Sequence, residues 1–350
     1  MTNASSPSKD LLGLDRNVAA ASGAVFLVGL GEELWKKFLP KYLEMLGAGP
    51  AVIGLFGTAE DFFDALYQYP GGWLADRWGR HRAFLAFLAA ACVGYLIYFF
   101  SPAWPFLFVG LAFVMAWQAM ASPAIFATIA DALPKERRAV GFTVQSVLKR
   151  IPMIISPLIG GVLMASLGIQ KATRLGLGIT LVFAATAVPL LSLMNVRSAT
   201  SDAVKIRGVW TSFHLALKRL LLSDIAIRTC EGLADIFTVL YVTNVTGIAI
   251  SRYGILVAIQ LATSILAYIP GARLALRFGR KPLVVATFVF FALYPVAVVV
   301  AHGFLPLIGA FVIGGLLWKI RPQIPFFAAG LVGIAATILF AATVDEEHSG

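Results

Sequence analysis

Long apolar stretches alternate with short charged or Pro/Gly-containing turns along most of the chain. This pattern predicts helices at about 18–43, 51–75, 83–101, 105–131, 140–166, 172–195, 220–246, 251–275, 281–301, 304–318 and 323–344. A helix of about 20 apolar residues crosses the hydrocarbon of a bilayer, and most of these segments reach that length. We therefore expect an all-α integral membrane protein with about 10–11 hydrophobic segments.

Composition and charge agree with a membrane protein. Hydrophobic residues make up 59% of the chain and charged residues only 13%, against about 25% charged in soluble domains. The net charge of +10 arises from Lys and Arg concentrated in alternate turns. By the positive-inside rule, this charge predicts a multi-pass protein of the cell inner membrane with a cytoplasmic N-terminus. It does not indicate nucleic-acid binding.

One long polar connection divides the predicted helices into two sets. We expect a cytoplasmic tail at 1–17, a six-helix bundle at 18–195 and a cytoplasmic linker at 196–219. A second bundle at 220–344 and an acidic tail at 345–350 complete the predicted organisation.

A decapeptide occurs twice, as GGWLADRWGR at 71–80 and as GARLALRFGR at 271–280. Each copy ends the second predicted helix of its set and opens a basic turn. Two parallel repeats are one known transporter plan, so the sequence predicts two parallel pseudo-repeated bundles, nominally six plus six helices. Gly71 and Gly72 are expected to let another helix approach closely.

The first copy, GGWLADRWGRHR, resembles the signature that the major facilitator superfamily carries between helices 2 and 3. The run DALPKERRAVG at 131–141 resembles that family's pattern between helices 4 and 5. The resemblance implies a conformational latch with Asp76 facing the eleventh helix. Its residues would be Gly72, Asp76, Arg77, Gly79 and Arg80.

Two further features refine this resemblance. ISPLIGG at 155–161 resembles a fifth-helix element of the family's drug/proton antiporters, with Pro157 bending the helix and Gly160 and Gly161 permitting close packing. In the second half, PLIGAFVIGG runs directly into LLWKI. Its alignment with the first half predicts that about 44 residues, or two helices, are missing near 314–316.

Predicted helices 1, 2 and 5 carry seven ionisable residues that are candidates for function, because charges inside a membrane are costly and usually functional. They are Glu32, Glu33, Glu60, Asp61, Asp64, Lys149 and Arg150. One hypothesis makes them a proton or substrate coupling site, in which a buried carboxylate exchanges a proton as the influence of Arg150 changes. The other hypothesis makes them structural ion pairs between helices 1, 2 and 5.

The seventh predicted helix carries Arg228, Glu231 and Asp235, spaced three and four residues apart. Residues at this spacing share a helix face. They are candidates for a gate or an interfacial ion pair.

These observations predict a secondary transporter that moves a small organic solute by alternating access and is coupled to protons. The alternative is a truncated, non-transporting member with structural ion pairs. No nucleotide-binding loop occurs, and the four histidines are dispersed. We therefore expect no enzyme activity, no metal and no cofactor, and a monomer whose partners are solute, protons and lipid.

Overall fold

The computed structural model describes residues 16–194, 235–266, 296–301 and 303–313. Within these ranges the regular structure is helical, without strands. The first half, residues 16–194, contains α1 (Arg16–Glu32), a short 3₁₀ turn (Lys36–Phe38), α2 (Leu39–Met45), α3 (Pro50–Trp78), α4 (Arg80–Phe100), α5 (Pro105–Ala132), α6 (Lys135–Leu167) and α7 (Ile169–Ser192). The second half contributes α8 (Asp235–Val245), α9 (Ile250–Leu266) and α10 (Phe304–Ile313).

Length and composition make most of these helices membrane spans. In the described part of the chain, five helical segments are long and apolar enough to cross a bilayer: Arg16–Met45, Arg80–Phe100, Pro105–Ala132, Gly141–Leu167 and Ile169–Ser192. α3 has 29 residues and therefore measures about 43 Å, but it also carries three carboxylates in its middle. The predicted all-α membrane fold is confirmed.

Two adjacent helix pairs are separated by a single glycine. Gly79 lies between α3 and α4 with φ of 84°, and Gly168 lies between α6 and α7 with φ of 78°. Positive φ values are readily adopted only by glycine. These turns let consecutive helices reverse direction with almost no loop.

The first predicted helix is not continuous, contrary to the prediction of a helix over 18–43. α1 ends at Glu32, and the backbone then tightens, with Leu34 N–H donating to Gly31 O at 3.2 Å. One carbonyl oxygen of its last turn has a partner on a neighbouring helix, because the Ser156 hydroxyl donates to Leu30 O at 2.9 Å. The break lies inside the protein, with Glu32 and Glu33 largely buried beside it.

The helices pack most extensively as α4 with α5, α6 with α9, α1 with α7 and α3 with α5. The break after α1 is anchored in this packing by Trp35, whose indole N–H donates to Thr180 Oγ1 at 3.0 Å. The Trp35 ring also packs edge-on against Tyr95 and Tyr98, at centroid distances of 6.2 and 5.7 Å. A rigid aromatic core thus supports the broken segment.

The two halves meet along α3, α6, α8 and α9. The Phe38 ring packs edge-on against Tyr253 at 5.8 Å, and α3 approaches α8 at Gly57, where a Cβ atom would lie 2.9 Å from Ile236. The second decapeptide at 271–280, the linker at 196–219, both tails and the predicted deletion near 314–316 lie outside the described residues.

Candidate functional site

The break in the first helix faces a polar cavity of about 280 Å³. A second, adjoining cavity of about 1020 Å³ shares Lys36, Glu60, Asp61 and Asp64 with it and extends to Asp235 and Gln260 of the second half. The predicted charged residues Glu32, Glu33, Glu60, Asp61, Asp64 and Lys149 all line the smaller cavity. Residues from α1, α3 and α6 are thereby brought together.

Glu32 is a deeply enclosed carboxylate of the cavity, with 7% of its surface exposed. The Tyr95 hydroxyl donates to Glu32 Oε1 at 2.5 Å, and the Gln118 amide donates to the same oxygen at 2.9 Å. The carbonyl oxygen of Gln118 accepts a hydrogen bond from Lys36 Nζ at 2.7 Å. Gln118 therefore joins a carboxylate and an ammonium group without direct contact between them.

Lys36 connects this network to the helix that carries the other carboxylates. Its Nζ lies 3.6 Å from Glu60 Oε1. Lys36 also follows the C-terminal end of α1, where the helix dipole favours positive charge. The chain Tyr95–Glu32–Gln118–Lys36–Glu60 thus crosses from α4 through α1 and α5 to α3.

Four other cavity residues differ in their surroundings. Asp64 accepts a hydrogen bond from Gln68 at 3.1 Å, one turn along α3. Lys149 has no carboxylate within 4.0 Å in the part of the chain that is described. Glu33 Oε2 and Gln145 Oε1 are buried and lack a hydrogen-bond partner among the described residues.

Arg150, expected beside the carboxylates, donates a hydrogen bond to Ser264 of α9 at 3.0 Å. The cation that lies beside Glu60 is Lys36 instead. Sequence reasoning missed Lys36 because it assigned this lysine to a continuous helix near the outer surface. The available signal was the sequence GEELWKKF, which puts two acids and two bases within six residues.

Polar contacts between the halves lie toward the end of the helices farthest from Gly79; we call them the distal contacts. Lys37 Nζ pairs with Asp235 Oδ2 at 2.7 Å. Lys41 pairs with Glu44 Oε2 at 2.7 Å and donates to Asn244, whose amide in turn donates to Glu44 Oε1 at 2.6 Å. Asp235 is therefore an inter-half partner, whereas its predicted neighbours Arg228 and Glu231 lie outside the described residues.

Close helix packing reinforces the distal contacts. A Cβ atom on Gly160 would lie 2.2 Å from the Leu34 carbonyl oxygen, at the break in the first helix. Cβ atoms on Gly161 and Gly254 would lie 3.2 Å from Ser251 and 2.3 Å from the Pro157 carbonyl oxygen, respectively. The absence of side chains at these glycines lets α6 contact both the broken segment and α9.

At the opposite end of the helices, four charged residues lie around Gly79. We call Asp76, Arg77, Arg80 and Asp131 the Arg80 turn. Arg80 Nη1 lies 2.6 Å from Asp76 Oδ1 and its Nη2 lies 3.1 Å from Asp131 Oδ2. Arg77 stacks over the Trp73 ring at 5.1 Å. These contacts all stay within the first half.

Close helix approach occurs at Gly71, where a Cβ atom would lie 2.5 Å from Met120 Cα, whereas one on Gly72 would meet nothing within 4 Å among the described residues. The close approach expected at Gly72 stays a prediction. Because adjacent helical residues point about 100° apart, only one of the pair faces α5. Whether Asp76 faces an eleventh helix concerns residues outside the described ranges.

In the described ranges, no group of three His, Cys, Asp or Glu side chains is arranged to hold a metal ion. The side chains of the charged cavity can exchange protons and form hydrogen bonds or ion pairs with a solute.

The sequence of the chain is similar to that of one protein family. A family model described as Major Facilitator Superfamily matches residues 21–230. No curated protein sequence gives a significant match.

Solved transporter structures share the fold at low sequence identity. A variant of the nucleoside transporter NupG superposes with a TM-score of 0.71 at 12% identity, over 93% of this chain and 87% of that one. A POT family transporter in complex with 5-aminolevulinic acid gives 0.67 at 13% identity, over 96% and 90%. A bacterial homologue of the human lysosomal transporter Spinster, inward-facing and unoccupied, gives 0.60 at 16%, over 94% and 75%.

Proposed function

The chain belongs to the Major Facilitator Superfamily, and we propose that this secondary transporter moves a small organic solute by alternating access, coupled to protons through Glu32. The observation that supports coupling is the position of Glu32, buried at the helix break and at the wall of the charged cavity.

The groups around Glu32 have opposite effects on a negative charge at its carboxyl group. Burial and the negative end of the α1 dipole disfavour a negative charge there. The hydrogen bonds from Tyr95 and Gln118, with Lys36 one step farther, favour it. A carboxylate held between opposing effects can change protonation when a solute or a moving helix alters one of them.

The second part of the proposal concerns the conformational cycle. With the N-terminus and the Arg80 turn in the cytoplasm, the distal contacts close the external end of the cavity. Opening that end would require the separation of Lys37 from Asp235 and of Gly254 from Pro157. The Arg80 turn would hold the helices of the first half together in every state, and the protein would act as a monomer. The latch between the halves, with Asp76 facing the eleventh helix, stays a hypothesis.

Proton coupling can be tested in proteoliposomes that contain a pH-sensitive dye. Uridine, dialanine and 5-aminolevulinate, chosen from the solute classes named for the similar structures, are added outside under an imposed pH gradient. We expect a solute-dependent proton flux in the wild type, which Glu32→Gln abolishes while uptake by exchange continues. The matched control Glu136→Gln lies in the first turn of α6, about 13 Å along the helix from Gln145, and should keep the proton-to-solute ratio.

Equal proton coupling in Glu32→Gln and wild type would contradict the role of Glu32. Absence of any solute-dependent flux in well-folded wild type would instead favour the non-transporting alternative. The drug/proton antiporter subtype and the loss of about 44 residues near 314–316 stay hypotheses, the second testable by the coding length of the gene.

A further inference from the structure

The cavity beside the helix break has more negative than positive side chains. Five carboxylates line it, those of Glu32, Glu33, Glu60, Asp61 and Asp64, against the ammonium groups of Lys36 and Lys149. With every group ionised, three negative charges lack a counter-charge. A proton on Glu32 compensates one of them, and the remaining imbalance favours a cationic solute.

Several of these charges already have protein partners. Glu32 accepts two hydrogen bonds, Glu60 lies beside Lys36, and Asp64 accepts from Gln68. These contacts leave Glu33 and Asp61 as the carboxylates with the fewest contacts to protein donors. The carboxylates with the fewest protein donors therefore lie at the helix break and on the adjacent face of α3.

Two buried acceptor atoms make this site specific. Glu33 is 6% exposed and Gln145 is 5% exposed, and both line the cavity. Glu33 Oε2 and Gln145 Oε1 have no hydrogen-bond partner among the described residues. Buried acceptors are normally paired. We therefore expect a ligand in the cavity to donate hydrogen bonds to these two oxygen atoms.

Much of the remaining lining is apolar or aromatic. Met115, Trp117, Phe126 and Met153 face the same space as the two free acceptors. Aromatic faces attract ammonium groups, and methionine side chains adapt to ligands of varied shape. At about 280 Å³, the cavity lies near the lower end of the range of small-molecule sites.

We propose that the solute carries a protonated amine, which donates hydrogen bonds to Glu33 Oε2 and Gln145 Oε1 while its apolar body contacts Trp117 and Phe126. This inference rests on the proposed transport function and names its substrate class. Lys149 has no carboxylate partner in the described part of the chain, so the acid group of a solute that also carries one can form an ion pair with it.

The proposal is tested by equilibrium binding to the purified protein in detergent. Isothermal titration calorimetry compares three molecules of nearly equal size: 2-phenylethylamine, 2-phenylethanol and phenylacetate. We expect binding of the amine only. Glu33→Gln should weaken amine binding about 10- to 100-fold, as expected for loss of a charge-assisted hydrogen bond.

Two further variants separate a specific contact from a folding defect. Gln145→Glu adds a carboxylate oxygen at the second acceptor and should tighten amine binding. Glu136→Gln makes the same chemical change as Glu33→Gln, but in the first turn of α6, about 13 Å along the helix from Gln145, and should leave affinity unchanged. Melting temperatures near that of the wild type establish that each variant is folded.

Equal binding of the alcohol, preference for phenylacetate, or no binding of the amine by folded protein would each overturn the proposal. So would equal amine affinity in Glu33→Gln and wild type. Because this assay contains no gradient, its outcome is independent of proton coupling. A transporter coupled through Glu32 but selective for neutral solutes would retain the proposed function and refute the amine site.

Discussion

The distal contacts and the Arg80 turn use the same chemistry for different connections. In the Arg80 turn, Arg80 bridges Asp76 and Asp131, all from the first half of the chain. In the distal contacts, Lys37 and Lys41 reach Asp235 and Asn244 of the second half. One group joins the helices of a bundle, and the other joins two bundles.

This difference predicts that contacts within a half govern its stability, whereas contacts between the halves govern the conformational state. Contacts within one half can persist whichever way the cavity opens. Contacts across the halves exist only while the halves meet at that end. Disrupting the Arg80 turn should therefore destabilise the first half in every state, whereas disrupting the distal contacts should shift the balance between states.

The largest effect is expected for Gly254→Ala. Its Cβ atom would lie 2.3 Å from the Pro157 carbonyl oxygen of the first half, so α9 must move away from α6. We expect destabilisation of about 1–3 kcal/mol and an opening of the distal end, measured by thermal unfolding and by spin-label distances. Gly178→Ala, where the nearest described neighbour of the added atom is Phe99 at 4.0 Å, is the matched control.

The next effect is expected for Arg80→Gln. Arg80 is buried and serves two carboxylates, so its loss leaves both without their cation. We expect the first half to lose about 1–2 kcal/mol, measured as a lower melting temperature, with no change in the distance across the distal end. Opening of the distal end in this variant would erase the distinction between the two groups.

A smaller effect is expected for Lys37→Gln and Asp235→Asn. The pair is partly solvent-exposed, so each change should cost about 1 kcal/mol or less. The expected result is a population shift toward the open distal end, with little change in melting temperature. The charge-exchanged double variant, Lys37→Asp with Asp235→Lys, should restore the wild-type population, and failure to do so would argue against a direct ion pair.

The sequence predicted the helices of the first half well because apolar length and Gly or Pro punctuation define them locally. The boundaries of α3, α5 and α7 lie within about three residues of the predicted ones. The break at Glu32 was not predicted, since the apolar pattern continues through LWKKFLPKYL. Tertiary contacts from Ser156, Gly160 and Thr180 stabilise it.

The sequence predicted which residues form the candidate site but not which of them contact each other. Counting residues along helices gave the depth of Glu32, Glu60 and Arg150, but helix rotation about its axis depends on packing. That rotation brings Lys36 to Glu60 and makes Gly71, not Gly72, face α5. The two unpaired acceptors could not be identified from sequence, because partners are defined only by the folded structure.

The central claim is that the distal contacts open and close while the Arg80 turn stays intact. Its most direct test is the distance between spin labels at Ala51→Cys and Ala249→Cys, both exposed at the distal end, in a protein whose Cys92 and Cys230 are replaced by alanine. The account predicts two distance populations, with the longer one enriched by Asp235→Asn and unaffected by Arg80→Gln. A single distance unchanged by Asp235→Asn would contradict it.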